Sequence, residues 1–187
     1  MRVLVTGGTG FVGSAVVRAL LARGDQVVCL VRAGANRANL LDLPVEYHVG
    51  DLHDASSLRE ALAGCQQLYH VAALYSSRPE DAPELQRVNV EGTRRLLTLA
   101  AELGLERIVH TSTIGTIGQP GGGRLATEAD HLSAEARLSA YARSKLQAEE
   151  IALALARQGA PVVVVNPCGP IGPRDMRPSS TGQRILD

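Results

Sequence analysis

Val3-Leu4-Val5-Thr6-Gly7-Gly8-Thr9-Gly10-Phe11-Val12-Gly13 runs from a short apolar stretch through glycines at positions 7, 10 and 13. Val12, Ala15, Val16, Ala19, Leu20 and Arg23 follow at helical spacing, and Gly24 stands where a C-terminal cap would. A strand that feeds a helix through such a turn uses each glycine differently. Gly7 permits the tight turn, Gly10 lets backbone approach a pyrophosphate, and Gly13 lets helix and strand pack closely. The helix N-terminus then offers free N–H groups to the phosphates. Thr9, Phe11 and Val12, in the same turn, are candidates for the same contact. The stretch reads as the opening of a dinucleotide-binding α/β unit.

Two periodicities alternate beyond it. Residues 26–31, 45–49, 67–71, 107–112 and 161–165 read as further strands, and the unbroken valines of the last suit burial on both faces. Helical spacing appears after Asp54, an N-cap, and closes at Gly64. It returns over residues 82–103, interrupted at Gly92 and closed by Gly104, and over 138–158, where Ala148, Ile151, Ala152 and Leu155 share a face. Residues 114–137, with Gly121-Gly122-Gly123, read as an exposed loop, and the chain from Asn166 on is Pro/Gly/Ser-rich and loop-like. Strand–helix alternation with apolar strands predicts a doubly wound parallel sheet with helices on both faces, the Rossmann fold. Residues 1–166 form the expected dinucleotide-binding domain, and 167–187 the start of a truncated substrate-binding region.

The 187 residues suit about one domain of ~150 residues. Lys plus Arg and Asp plus Glu are both 19, so the chain lacks the basic excess expected of a nucleic-acid or anionic-membrane binder. Without Trp, and with one Phe and four Tyr, it has few rings on which bases could stack. No apolar stretch is long enough to span a bilayer or serve as a signal peptide. Cys29, Cys65 and Cys168 are scattered, with neither disulfide-framework nor metal-ligand spacing. A cytoplasmic protein is the default expectation.

The second strand ends in Leu30-Val31-Arg32. An acid near this point would hold a ribose 2′-hydroxyl; Val31 cannot, while Arg32 and nearby Arg37 suit a 2′-phosphate. NADP is therefore expected, with NAD the alternative. Asp51, followed by Leu52 at the carboxyl edge after the third strand, can accept from an adenine amino group or serve a turn. His70 reads more readily as structural than catalytic, and the small side chains of Val71-Ala72-Ala73 would let a cofactor lie close. Tyr141 and Lys145 are four apart on one helical face. A nearby ammonium favours the phenolate, so Tyr141 could exchange a proton with a substrate oxygen.

Together, the Gly7/Gly10/Gly13 loop, Asp51, His70-Val71-Ala72-Ala73, Asn89-Val90-Glu91-Gly92-Thr93, Thr111-Ser112-Thr113 and Tyr141/Lys145 resemble the extended short-chain dehydrogenase/reductase family, of NAD-dependent epimerase/dehydratase type. The segment from Val165-Asn166-Pro167 to Asp175 is similar to the dihydroflavonol reductase-like branch and to hopanoid-associated sugar epimerases. The resemblance implies that Thr113 hydrogen-bonds the reacting oxygen, with Ser112 as fallback, and that Lys145 also binds the nicotinamide ribose. It implies a supporting role for Asn89 and a nicotinamide pocket lined by Pro167 and Ile171. It further implies a homodimer through the helices near 82–103 and 139–158. Three functions fit: a reductase of a carbonyl or secondary alcohol, a nucleotide-sugar epimerase, and a non-catalytic dinucleotide sensor. Thr113, Tyr141 and Lys145 favour an enzyme, since a sensor does not need them.

Overall fold

The computed structural model describes residues 1–130, 132, 139–176 and 179–186. The strands are β1 (Arg2–Thr6), β2 (Gln26–Val31), β3 (Glu46–Val49), β4 (Gln67–His70), β5 (Arg107–Thr111) and β6 (Val162–Val165). All pair in parallel, in the order β3-β2-β1-β4-β5-β6. The helices are α1 (Phe11–Ala22), α2 (Ala55–Leu62), α3 (Ala82–Leu85), α4 (Thr93–Glu102), α5 (Ala140–Arg157) and α6 (Ser180–Leu186).

Each predicted strand is present to within a residue or so. Asp54 caps α2 as expected, accepting from the Ser56 amide at 2.9 Å. Three elements differ from the reading of the sequence. The helix over 82–103 is not uniform: a π-helical segment, Gln86–Gly92, joins α3 to α4. The segment after β5 contains a 3-10 turn, Ile114–Thr116, capped by the Thr113 hydroxyl accepting from the Gly115 amide. The tail expected to be irregular carries α6, whose amphipathic period is too short to stand out from its Pro/Gly/Ser-rich surroundings. Of the expected loop, residues 131 and 133–137 lie outside the described residues, as do Leu138 and Asp187.

β1 is central and buried on both faces, which explains its unbroken apolar run. Val3 and Val5 pack with Val17 and Leu20 of α1. On the other face, Leu4, Leu68 and Ile108 pack against Leu58 and Leu62 of α2, Leu96 and Leu97 of α4, and Ala152 of α5.

Toward the carboxyl ends of the strands this second face turns polar. His70 is fully buried and hydrogen-bonded at both nitrogens, Nδ1 to Thr6 Oγ1 at 2.7 Å and Nε2 to Thr93 Oγ1 at 2.8 Å. Thr6 Oγ1 also accepts from the Ala72 amide at 3.3 Å. His70 is thus a structural histidine. His110 lies beside it, with ring centres 5.4 Å apart, and neither of its nitrogens has a hydrogen-bond partner among the described residues.

Burial, helped by the Lys145 charge, lowers His70 to about 3. Burial, then the charges of His70 and Lys145, holds His110 well below the usual histidine range. The unfolded chain therefore takes up protons that the folded chain refuses, and stability declines as pH falls from about 6.5 toward 3. His70 alone contributes a loss on the order of 1–2 kcal/mol between pH 6.5 and 5. Thermal unfolding across this range should show that decline. His110→Phe, which strands no hydrogen-bond partner, should flatten it; an unchanged slope would remove His110 from the explanation.

Candidate functional site

The turn between β1 and α1 is set by two close approaches. Gly7 has a φ of +73°, and a Cβ there would lie 2.6 Å from the Ala72 amide nitrogen. At Gly13 a Cβ would lie 2.0 Å from the Gly7 carbonyl oxygen. α1 has Gly10 as N-cap, with no side-chain cap and no acid in its first turn. α2 and α5 differ: the Asp54 and Ser139 side chains close their N-termini. The first-turn N–H groups of α1 thus keep their positive end free for an anion.

This end opens into a cleft of about 530 Å³, within the roughly 300–1,000 Å³ of small-molecule sites. Gly7, Thr9, Gly10, Phe11, Val12 and Gly13 line it beneath α1. Arg32 flanks it after β2, Asp51 and Leu52 after β3, and Val71, Ala72 and Ala73 after β4. The carboxylate of Asp51 also accepts from the His53 amide at 2.9 Å, so it both shapes a turn and faces the cleft. Arg37 is placed away from its expected position: its guanidinium lies 4.3 Å from the centre of the Tyr47 ring, outside the cleft wall. An uncapped helix end, glycine walls and a cation fit a dinucleotide.

Glu84 and Arg87 also line the cleft and were not singled out from the sequence. Arg87 donates to both Glu84 oxygens, at 2.7 and 2.6 Å, and holds that carboxyl below its usual range. Their spacing of three is legible in the sequence; which wall their helical segment forms is not.

The remaining candidates stand behind or beside this wall. Asn89 accepts from the Leu74 amide at 2.7 Å and donates to the Leu74 carbonyl and Ser144 Oγ, both at 2.9 Å. It therefore ties the segment after β4 to α5. Tyr141, half-buried, meets Tyr75 of the cleft wall edge-on, with ring centres 4.8 Å apart. Lys145 is the chain's one lysine among 19 cationic side chains. It is only 3% exposed, and Nζ donates to the Thr111 carbonyl at 2.7 Å. Burial lowers its pKa to about 8, with the Glu149 carboxylate opposing.

Tyr141 differs from the expectation: burial, reinforced by Tyr75, pushes its phenol above the ordinary value, while the Lys145 ammonium donates to the Thr111 carbonyl. Tyr141 is a protonated phenol at neutral pH. Thr113 is half-exposed at the end of β5, whereas Ser112 is buried with no partner for its hydroxyl among the described residues. Pro167 accepts from the Ile114 amide at 3.1 Å, beside Thr113. Ile171 is exposed, and the adjacent Gly172 lies against the Phe11 ring at the cleft.

A six-stranded parallel sheet with this loop at the carboxyl edge of β1 defines a Rossmann-type dinucleotide-binding protein. The chain belongs to the NAD dependent epimerase/dehydratase family, whose model matches residues 3–186. It is 48% identical over 182 residues to a provisionally named dihydroflavonol 4-reductase of Synechocystis sp., covering 97% of this chain and 53% of that protein. Identity to sterol demethylase protein B of Methylococcus capsulatus is 44% over 188 residues, covering 100% of this chain and 57% of that one. The crystal structure of the Thermus thermophilus UDP-glucose 4-epimerase in complex with NAD superposes with a TM-score of 0.83 at 32% identity, over 100% of this chain and 61% of that one. The chain thus spans about half the length of the curated relatives it matches, 53% and 57% for the two named here. No helix among the described residues is long and apolar enough to cross a membrane.

Gly13→Ala tests the turn. The added methyl meets backbone rather than a movable side chain, so helix and strand must part, at a cost of roughly 1–3 kcal/mol. Calorimetry should show lost dinucleotide binding together with a lower melting temperature. Wild-type affinity in this variant would show that the close approach is dispensable.

Proposed function

We propose that the protein is an NADP-dependent oxidoreductase acting on a carbonyl or secondary alcohol of a small molecule, with Tyr141 moving the proton. The observation that carries this reading is the protonated phenol of Tyr141 against the cleft wall, one helical turn from a buried ammonium. A bound nicotinamide dinucleotide supplies or accepts the hydride. The chain's own groups would do the rest. Tyr141 donates its hydroxyl proton to a carbonyl oxygen and takes one back in the reverse direction. Thr113 hydrogen-bonds the same oxygen. The Lys145 ammonium binds the nicotinamide ribose, while Asn89 fixes the Leu74 segment against α5.

For the cofactor, Val31 is apolar and buried at the end of β2, and Arg32 is exposed on the cleft beside it. That pairing supports a 2′-phosphate over a 2′-hydroxyl. Epimerisation of a nucleotide sugar is the second reading, favoured by the likeness to the NAD-bound Thermus epimerase. A homodimer through α4, α5 and the π segment belongs to the same proposal. Val90, Ile151 and Leu155 contribute to a groove of about 420 Å³ between those elements.

A charged hydrogen bond contributes about 1.5–3 kcal/mol, so NADPH should bind roughly ten- to a hundred-fold more tightly than NADH. Arg32→Ala should narrow that gap in titration calorimetry, and equal affinities in the native protein would reject the preference. Tyr141→Phe removes one oxygen and keeps the ring. Screened on carbonyl substrates with NADPH, it should lose at least ~100-fold in turnover with little change in cofactor affinity. Near-normal turnover would assign the proton to another group.

A further inference from the structure

We infer that Glu149 is a positioning residue of this site: its carboxylate fastens the Thr113 loop and the segment after β6 to α5 and keeps the Lys145 amine charged. The inference rests on the proposed role of Lys145 only where cofactor affinity is concerned.

Glu149 stands one turn beyond Lys145 and two beyond Tyr141, on the same side of α5. Its Oε2 lies 2.6 Å from Thr116 Oγ1 and 2.9 Å from Asn166 Nδ2. Asn166 Nδ2 is also 3.1 Å from the Thr113 carbonyl and 3.0 Å from Thr116 Oγ1, and Thr116 Oγ1 is 2.8 Å from the Thr113 carbonyl. A threonine hydroxyl has one proton to give and an asparagine amide two. The three protons are placed if Thr116 and Asn166 each give one to Glu149 and the second Asn166 proton goes to the Thr113 carbonyl. In that arrangement the Glu149 oxygen accepts both bonds. One carboxylate oxygen thereby holds three segments: the loop bearing Thr113, α5 bearing Tyr141 and Lys145, and the residue before Pro167.

The charge of the same carboxylate acts on Lys145. His70 and His110 approach Lys145 from β4 and β5, and burial keeps both neutral near pH 8. Asn89, in the π segment packed on α5, carries no charge. Tyr141 is on Lys145's own helix and is protonated in this range. Among the described residues, Glu149 supplies the attraction that opposes the desolvation of the ammonium.

Because Lys145 is the one lysine of the 187-residue chain, lysine labelled with carbon-13 at Cε gives a single side-chain signal whose pH titration reports this amine. Glu149→Gln keeps an accepting oxygen for Thr116 and Asn166 and removes only the charge. The native midpoint is expected near 8. In Glu149→Gln it should fall far enough that the neutral amine at pH 7.5 rises about threefold. Glu149→Asp, which keeps the charge on a shorter arm, should titrate near the native midpoint while amide exchange in residues 115–117 quickens. An unchanged midpoint in Glu149→Gln overturns the inference; so does a lowered one in Glu149→Asp, which also decides the matter if the glutamine variant does not fold. NADPH affinity at pH 8 separates this inference from the proposed function. A lowered midpoint in Glu149→Gln with unchanged affinity leaves the role of Glu149 standing and removes Lys145 from the cofactor contact.

Discussion

At Gly7 and Gly13 backbone meets backbone without a side chain between. Gly13 brings the first turn of α1 against the Gly7 carbonyl, and Gly7 brings the end of β1 against Ala72. These approaches set the height and direction of α1 over the sheet. They also bring the segments after β1 and β4 together at one edge. With Gly10 as its N-cap, α1 turns an unclosed N-terminus toward the space above that edge. A larger residue at either position would move the helix, its first-turn amides and the cleft floor together.

Below the cleft the apolar core gives way to buried polar groups. Thr6, His70 and Thr93 form a chain of hydrogen bonds that also receives the Ala72 amide, so the cleft floor is fastened from beneath. His110 and the Ser112 hydroxyl are buried there without hydrogen-bond partners among the described residues. Burying such groups costs free energy, and acid adds to that cost by charging the histidines. Lys145 lies in the same region and is held by the Thr111 carbonyl. The apolar packing of the sheet, toward the amino ends of the strands, lies beneath this polar region.

Two side chains hold the pieces of the candidate site in register. Asn89 uses both ends of its amide to join the Leu74 segment to Ser144 on α5. Glu149, farther along α5, joins the loops after β5 and β6. α5 is therefore fastened to the sheet edge by directional bonds as well as by the apolar packing of Ala148 and Ala152. Such bonds fix distances that apolar contacts alone leave adjustable.

The sequence by itself determined the order of the six strands and of the main helices between them, the parallel doubly wound sheet and the glycine turn. Burial on two faces, the 3.6-residue helical repeat and a required glycine each leave a local mark within a few residues. It likewise placed Tyr141 and Lys145 on one helix face, because four residues span about one turn. Only the tertiary structure decided where side chains from different elements meet. Arg37 goes to Tyr47 instead of the cleft, and Glu84 and Arg87 enter the cleft from a helical segment distant in sequence. The Tyr141 phenol is raised by burial and Tyr75, and Lys145 turns to the Thr111 carbonyl. Such outcomes depend on desolvation and on the directions of bonds between segments tens of residues apart. Neither is encoded in the spacing of residues along one segment.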